Sequence, residues 1–284
     1  MDIQRVAVIG AGTMGRGIAQ AILLAGYHVT LYDVKIEYLE QAQAAMFAAI
    51  DKGVALGKTA AEQARQAKQE LDLTTSLVDA AAADLIIEAA PEDLDLKRQI
   101  FATLAEAAAP ATILASNTSS LSINALAAAT RRPDRFIGLH FFNPAHIMKL
   151  VEIIPGDDTS AATLATAVAF VARLGKTGVT CKDTPAFIVN RVARPFYGEA
   201  FRLLGENAAD VATIDRLLQS VGFPMGPFAL VDLIGCDVNL AVTQSVYEAY
   251  FHDPKYRPHP IQQRMVDSGR HGRKTGRGFY SYEA

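Results

Sequence analysis

The stretch HFFNPAHIMKLVE, residues 140–152, sets two histidines six positions apart and ends on a glutamate. A carboxylate bonded to one imidazole nitrogen fixes the tautomer, stabilises the imidazolium and leaves the second nitrogen able to take a proton. Two strand-like segments, RFIGLH and MKLVEII, flank NPAH, whose Asn and Pro favour a chain reversal. If they pair antiparallel about His146, positions 140 and 152 are equidistant from the centre. His140 and Glu152 then face one another, and His146 falls at the turn. A base held in this way suits removal of a hydroxyl proton while hydride leaves the adjoining carbon. An isolated histidine is more often a structural imidazole, so this reading needs a second signal in the same domain.

That signal is GAGTMG. Gly10, Ala11, Gly12, Thr13, Met14 and Gly15 follow the strand-like RVAVI and open the helix-like GRGIAQAILLAG. In such a turn the first glycine makes the tight bend, the second lets backbone approach a pyrophosphate, and the third allows helix and strand to pack closely. The helix N-terminus presents free N–H groups and a positive dipole to the diphosphate. Asp33 closes the next strand eighteen residues beyond Gly15. An acid there accepts hydrogen bonds from the adenosine ribose and repels a 2′-phosphate, which favours NAD over NADP. Lys35 nearby is the one feature that argues for NADP, and a structural glycine turn with a surface aspartate is the plain alternative. Asn117 ends the apolar TILASN and Ser119 follows it, at the carboxyl edge where open α/β sheets bind ligands.

These residues require a scaffold of parallel strands. RVAVIG, HVTLYD, LDLTT, DLIIEA, TILASN and RFIGLH alternate with helix-like segments, and their nearly continuous apolar character predicts burial on both faces of a doubly wound sheet. Residues 35–70, rich in Ala, Glu, Gln and Lys, predict a helical pair broken by the glycines of KGVALGK. After KTGVTCKD the strand signals stop, and helical patterns run from about Ala186 to Gly269. The expected architecture is α/β: a Rossmann-type NAD-binding domain with a helical-pair insertion over 1–183, then an all-helical substrate and dimerisation domain over 184–284. The apolar segments FPMGPFALVDLIG and VNLAVTQSVYEAYF exceed what a small helical domain needs, which predicts a homodimer interface. Helices that simply bury one another explain the same surplus.

Bulk composition narrows the partners. Half of the 284 residues are hydrophobic and a fifth are charged, with a net charge of −3 and no Lys/Arg run, so nucleic acid is not an expected partner. No apolar run is long enough to span a membrane, and MDIQRVAVIG lacks the features of a signal peptide. A cytoplasmic protein is expected. Cys181 and Cys236 read as free buried thiols, and no His, Cys or Asp spacing reads as a metal site.

Taken together, VIGAGTMGRGIAQ, EAAPEDLDLKRQIF, ASNTSSLSI, GLHFFNPAHIMKLVEI, DTPAFIVNR, FPMGPFALVDLIGCDV and GRKTGRGFY resemble the 3-hydroxyacyl-CoA dehydrogenase family, and within it the short 3-hydroxybutyryl-CoA dehydrogenases. The resemblance implies that His140 is the catalytic base and Glu152 its partner, that Ser119 hydrogen-bonds near the substrate oxygen and the nicotinamide of the cofactor, and that Asn190 helps hold the substrate carbonyl. It implies that Glu92 and Lys97 contact the cofactor ribose, with Asn143 and Lys274 as further binding positions. On their own pattern, Glu92 and Lys97 read as surface charges and Asn190 as a polar helix position. The resemblance also implies that the helical insertion covers coenzyme A, where Lys52, Lys58 and Lys68 can meet its phosphates. His146 departs from the family, which more often carries an apolar residue or proline there, and it could alter acyl preference if it lines the acyl pocket. Rival readings are a dehydrogenase of the same build acting on 3-hydroxyadipyl-CoA or a sugar acid, and an NAD-binding protein without catalysis.

Overall fold

The β-branched runs of the first unit pair into one eight-stranded sheet. Its strands are β1 (Arg5–Ile9), β2 (His28–Tyr32), β3 (Leu71–Thr74), β4 (Leu85–Glu88), β5 (Ile113–Ser116), β6 (Phe136–Phe141), β7 (Leu150–Pro155) and β8 (Thr177–Thr180). The computed structural model describes residues 2–282, and the chain divides between Thr184 and Pro185 into two units. Strand order is β3, β2, β1, β4, β5, β6, β7, β8. Strands β1 to β6 run parallel, β7 is antiparallel to β6, and β8 is parallel to β7. The order reverses between β1 and β4, the switch point where sheets of this kind bind ligands.

Burial follows position in the sheet. Strands β4, β5 and β6 are buried at every residue, as continuous apolar runs require. β2 instead alternates, and the edge strand β3 is buried only at Leu71, so burial on both faces does not extend to that edge. β8, TGVT, lies at the opposite edge and is exposed throughout. Its only large apolar residue is Val179, which is why the sequence carries so weak a strand signal there.

The helices of this unit are α1 (Thr13–Leu24), α2 (Ile36–Ala55), α3 (Ala61–Gln69), α4 (Leu77–Ala80), α5 (Leu94–Ala107), α6 (Ile123–Ala127) and α7 (Ala161–Arg173). The expected helical pair is α2 and α3. Leu39, Ala42, Met46 and Ile50 recur every three or four residues and form the buried stripe of α2. Gly57, at φ +68°, makes the break, whereas Gly53 stays inside the helix. Asp93 caps α5 by accepting from Leu96 N at 2.8 Å, which fixes where the segment carrying Lys97 begins.

The second unit holds α8 (Val189–Gly205), α9 (Val211–Ser220), α10 (Pro227–Ile234), α11 (Cys236–Ala249) and α12 (Pro260–Asp267). Its core gathers Tyr197, Phe201, Ile214, Phe228, Val231 and Cys236. Buried Asp215 accepts from Phe228 N and Ala229 N at 2.9 Å and so caps α10. Buried Asp232 accepts from the backbone of Phe279 and Tyr280 and ties the C-terminal segment to that helix. Both cysteines are free, Cys236 buried and Cys181 only half-buried, and burial pushes each thiol up to about 12. Among the described residues no single helix is long and apolar enough to cross a membrane, although α10 and α11, bent by 100°, pass a length and composition test as a pair.

Candidate functional site

The turn after β1 is shaped by what cannot fit there. Gly10 has φ +106°, and a Cβ on it would lie 2.7 Å from Ala89 O. A Cβ on Gly15 would lie 1.7 Å from Gly10 O, so only glycine allows α1 to close on the turn. Gly12, the residue before α1, faces open space with no atom within 4 Å of a built Cβ. That combination leaves an accessible backbone at a helix N-terminus, the arrangement that accepts a phosphate. Asp33 at the end of β2 accepts from Ala11 N and Val34 N, both at 2.7 Å. It therefore braces the turn as well as facing the cavity beside it.

That cavity, about 830 Å³, is lined by the turn residues Gly10, Gly12, Thr13 and Met14, by Asp33, and by an apolar wall that includes Tyr38, Leu77, Leu96 and Ile100. Its size is that of a small-molecule site, and the acid at one side with apolar walls around it fits the adenosine half of a dinucleotide. The wall is absent from the sequence reading. Its residues come from α2, α4 and α5, and nothing in a lone Tyr or Leu on a helix announces that it faces a ligand.

At the carboxyl edge of β6, His140 Nδ1 lies 2.7 Å from Glu152 Oε2. The β6–β7 register pairs His140 with Glu152, as equal spacing about His146 predicts. Both side chains are buried, at 7% and 1% exposure, so their attraction is little screened. The Phe142 ring packs against the imidazole at 4.5 Å between centroids. Asn117 holds the strand end by accepting from Phe141 N at 2.8 Å. His146 lies exposed in the connecting loop. Partial burial, with the charges of Lys176 and Arg16, lowers its affinity for a proton. Lys176 Nζ donates to Ala145 O and Met148 O at 2.7 Å and holds that loop. Asn143 is exposed at its start, preceding a cis proline.

Ser119 belongs to a polar network beside these elements. Glu92 Oε1 accepts from Thr118 Oγ1 at 2.5 Å, Ser119 N at 3.0 Å and Ser120 Oγ at 3.2 Å. Lys97 Nζ sits 2.5 Å from Glu88 Oε1 and 3.2 Å from Glu92 Oε2. Glu88 also accepts from Ser116 Oγ and Ala90 N. The surface-charge reading of Lys97 fails, because the side chain is 1% exposed and its ammonium is enclosed by carboxylates. Glu92, at 37%, is the open end of this chain of contacts. Burial raises the Glu88 carboxyl, against the pull of Lys97 and the hydroxyl of Ser116. For Glu92 burial acts the same way, but Lys97, Thr118 and Ser119 outweigh it and the net direction is down. Glu88 was missed in the sequence, although a carboxylate closing the apolar run LIIE was its signal.

The other expected residues are elsewhere. Lys52 and Lys58 are exposed at the end of α2 and just beyond it, whereas Lys68 is paired with Asp51 at 2.6 Å. In the second unit, Asn190 is in the first turn of α8, after Ala186 and Phe187, which both have positive φ. Lys274 Nζ pairs with Asp237 at 2.6 Å.

Comparison with known proteins gives two family models in succession: "3-hydroxyacyl-CoA dehydrogenase, NAD binding domain" over residues 5–184 and "3-hydroxyacyl-CoA dehydrogenase, C-terminal domain" over 187–282. The chain is 47% identical to the 3-hydroxyadipyl-CoA dehydrogenase of Escherichia coli K12, with all of this chain aligned to 60% of that protein's length. It is 43% identical to the 3-hydroxybutyryl-CoA dehydrogenase of Bradyrhizobium diazoefficiens, covering 99% of this chain and 96% of that one. Among solved structures, the (S)-3-hydroxybutyryl-CoA dehydrogenase of Ralstonia eutropha superposes with a TM-score of 0.95 at 43% identity, each chain covered in full.

Proposed function

Because the chain belongs to the 3-hydroxyacyl-CoA dehydrogenase family, we propose that it interconverts a short-chain L-3-hydroxyacyl-CoA, of the 3-hydroxybutyryl type, and its 3-oxoacyl-CoA, with NAD. The observation that carries this reading is the buried His140–Glu152 pair at the strand edge of a sheet that also bears the glycine turn. In oxidation His140 Nε2 takes the proton of the 3-hydroxyl while Nδ1 stays bonded to Glu152, whose charge stabilises the imidazolium. Bound NAD supplies the acceptor for the hydride from the same carbon, and the C–O bond becomes a carbonyl. A positioned base of this kind contributes about 10² to 10⁴ in rate.

The other roles follow from the family and from the contacts described. Gly10 to Gly15 hold the diphosphate, Asp33 the adenosine ribose, and Glu92, backed by Lys97, the second ribose. Ser119 and Asn190 orient the substrate oxygens; Asn143 and Lys274 assist in binding, and Lys52 meets coenzyme A. The assembly is a cytoplasmic homodimer joined through the helical unit, a reading supported by exposed Val192, Leu217, Val221 and Phe223.

A second reading, a dicarboxylic substrate of the 3-hydroxyadipyl-CoA type, is favoured by the 47% identity with the Escherichia coli protein. The test of the activity is oxidation of NADH on addition of acetoacetyl-CoA. Tight NADH binding with no turnover of any 3-oxoacyl-CoA would instead make this a nucleotide-binding protein without catalysis.

A further inference from the structure

Arg194 stands one helical turn after Asn190 on α8 and is 5% exposed. Its Nε donates to Asn190 O at 3.3 Å, and its Nη1 donates to Asn239 O and Thr243 Oγ1 at 3.0 Å. Its guanidinium carbon lies 4.9 Å from the centre of the Tyr197 ring. Every one of these partners is neutral, and no aspartate or glutamate pairs with Arg194 among the described residues. Burial pushes its proton affinity down to about 10. Charged side chains are rarely buried to this extent without an ion partner.

A second orphan is in contact with the first. Asn239 is 1% exposed; its Oδ1 accepts from Gln262 Nε2 at 2.5 Å, but its Nδ2 has no hydrogen-bond partner. Buried amides are almost always satisfied. A brace between α8 and α11 would need hydrogen bonds but no charge, and it would not leave Nδ2 without an acceptor. What both groups lack is the same thing: an anionic oxygen.

We propose that Arg194, with Asn239, binds a carboxylate at the far end of the acyl chain, which favours the second reading above, an ω-carboxylated 3-hydroxyacyl-CoA, over the 3-hydroxybutyryl type. This rests on the reading above in which Asn190 orients the substrate. Four residues along a helix advance about 6 Å, and helical side chains lean back toward the preceding turn. The bond from Arg194 Nε to Asn190 O shows that lean. In a six-carbon diacid chain the far carboxylate stands three carbon–carbon bonds beyond the hydroxyl-bearing carbon, short of that advance, and the lean of Arg194 back toward Asn190 closes the difference. The planar guanidinium then gives the charge-assisted hydrogen bonds that an ω-methyl group cannot accept.

The test compares NADH oxidation by the full chain with acetoacetyl-CoA, 3-oxoadipyl-CoA and the ω-methyl ester of the latter. The free acid should exceed its ester in kcat/KM by about tenfold or more, the scale of hydrogen bonds to a charged group. Arg194→Met should bring that ratio toward one, and Arg194→Lys should restore part of it. A structural brace would move acid and ester together and leave the ratio alone. Equal use of acid and ester by the unaltered protein overturns the assignment, and that comparison decides the matter even if Arg194→Met does not fold. Failure of all three substrates overturns the dehydrogenase reading itself, whereas turnover of acetoacetyl-CoA with acid and ester equal overturns only the role of Arg194.

Discussion

Replacing Glu152 by Gln removes the charge opposite His140 and keeps the shape, which isolates the electrostatic part of the pair. The two side chains meet at 2.7 Å, with 7% and 1% exposure. Unit charges about 4 Å apart at an effective dielectric near 20 interact by ~4 kcal/mol. That is the scale of what the carboxylate gives to the imidazolium as it forms, taking about 4 Å between the centres of the two delocalised charges, and it corresponds to roughly a thousandfold in rate. The Gln oxygen still accepts from Nδ1–H, so the tautomer is retained and the loss should fall between about tenfold and that value. The assay is steady-state reduction of NAD with L-3-hydroxybutyryl-CoA, the direction in which the imidazolium forms, alongside NADH affinity by fluorescence titration. Affinity should hold while kcat falls. A folded Glu152→Gln protein whose kcat stays within about threefold of the parent would refute the reasoning.

Lys97→Met leaves Glu88 buried without its cation, so it should destabilise the fold by about 3–5 kcal/mol, seen as a lower urea midpoint; an unchanged midpoint would show that the pair has no such role. Gly12→Ala should fold normally, since its Cβ meets no atom within 4 Å, and yet weaken NADH binding. Gly15→Ala should disrupt the turn itself, its Cβ falling 1.7 Å from Gly10 O; thermal melts of the two variants separate the cases, and equal melts would contradict the packing argument. Glu92 has its carboxyl depressed below 4.5 because Lys97, Thr118 and Ser119 outweigh the effect of burial. A depressed acid stabilises the fold above its unfolded value and loses that contribution as pH falls through the folded one. Urea midpoints of Glu92→Gln should therefore decline less steeply than those of the parent below the ordinary glutamate value, and parallel acid limbs would count against it.

Local rules made much of this architecture readable. The glycine turn follows from sterics within six residues, and the His140–Glu152 register follows from equal spacing about one loop. The helical pair showed itself by composition and by Gly57. What stayed hidden depends on how the elements pack, even between residues as near in the chain as Glu88 and Lys97. Lys97 sits in PEDLDLK, which has the charge pattern of a solvated helix, and only the approach of β4 brings Glu88 over it. The apolar wall beside Asp33 is assembled from three helices. Arg194, in NRVARPF, gives no sign of burial in its own segment; the packing of α11 against α8 removes it from water.

The central claim is that His140 moves the proton of the 3-hydroxyl group. Its most direct test is kcat for NADH oxidation with acetoacetyl-CoA by His140→Gln, with folding checked by circular dichroism and NADH binding by titration. The account predicts a loss of about 10² to 10⁴ in kcat with cofactor binding retained. A folded variant that binds NADH and turns over at close to the parent rate would contradict it.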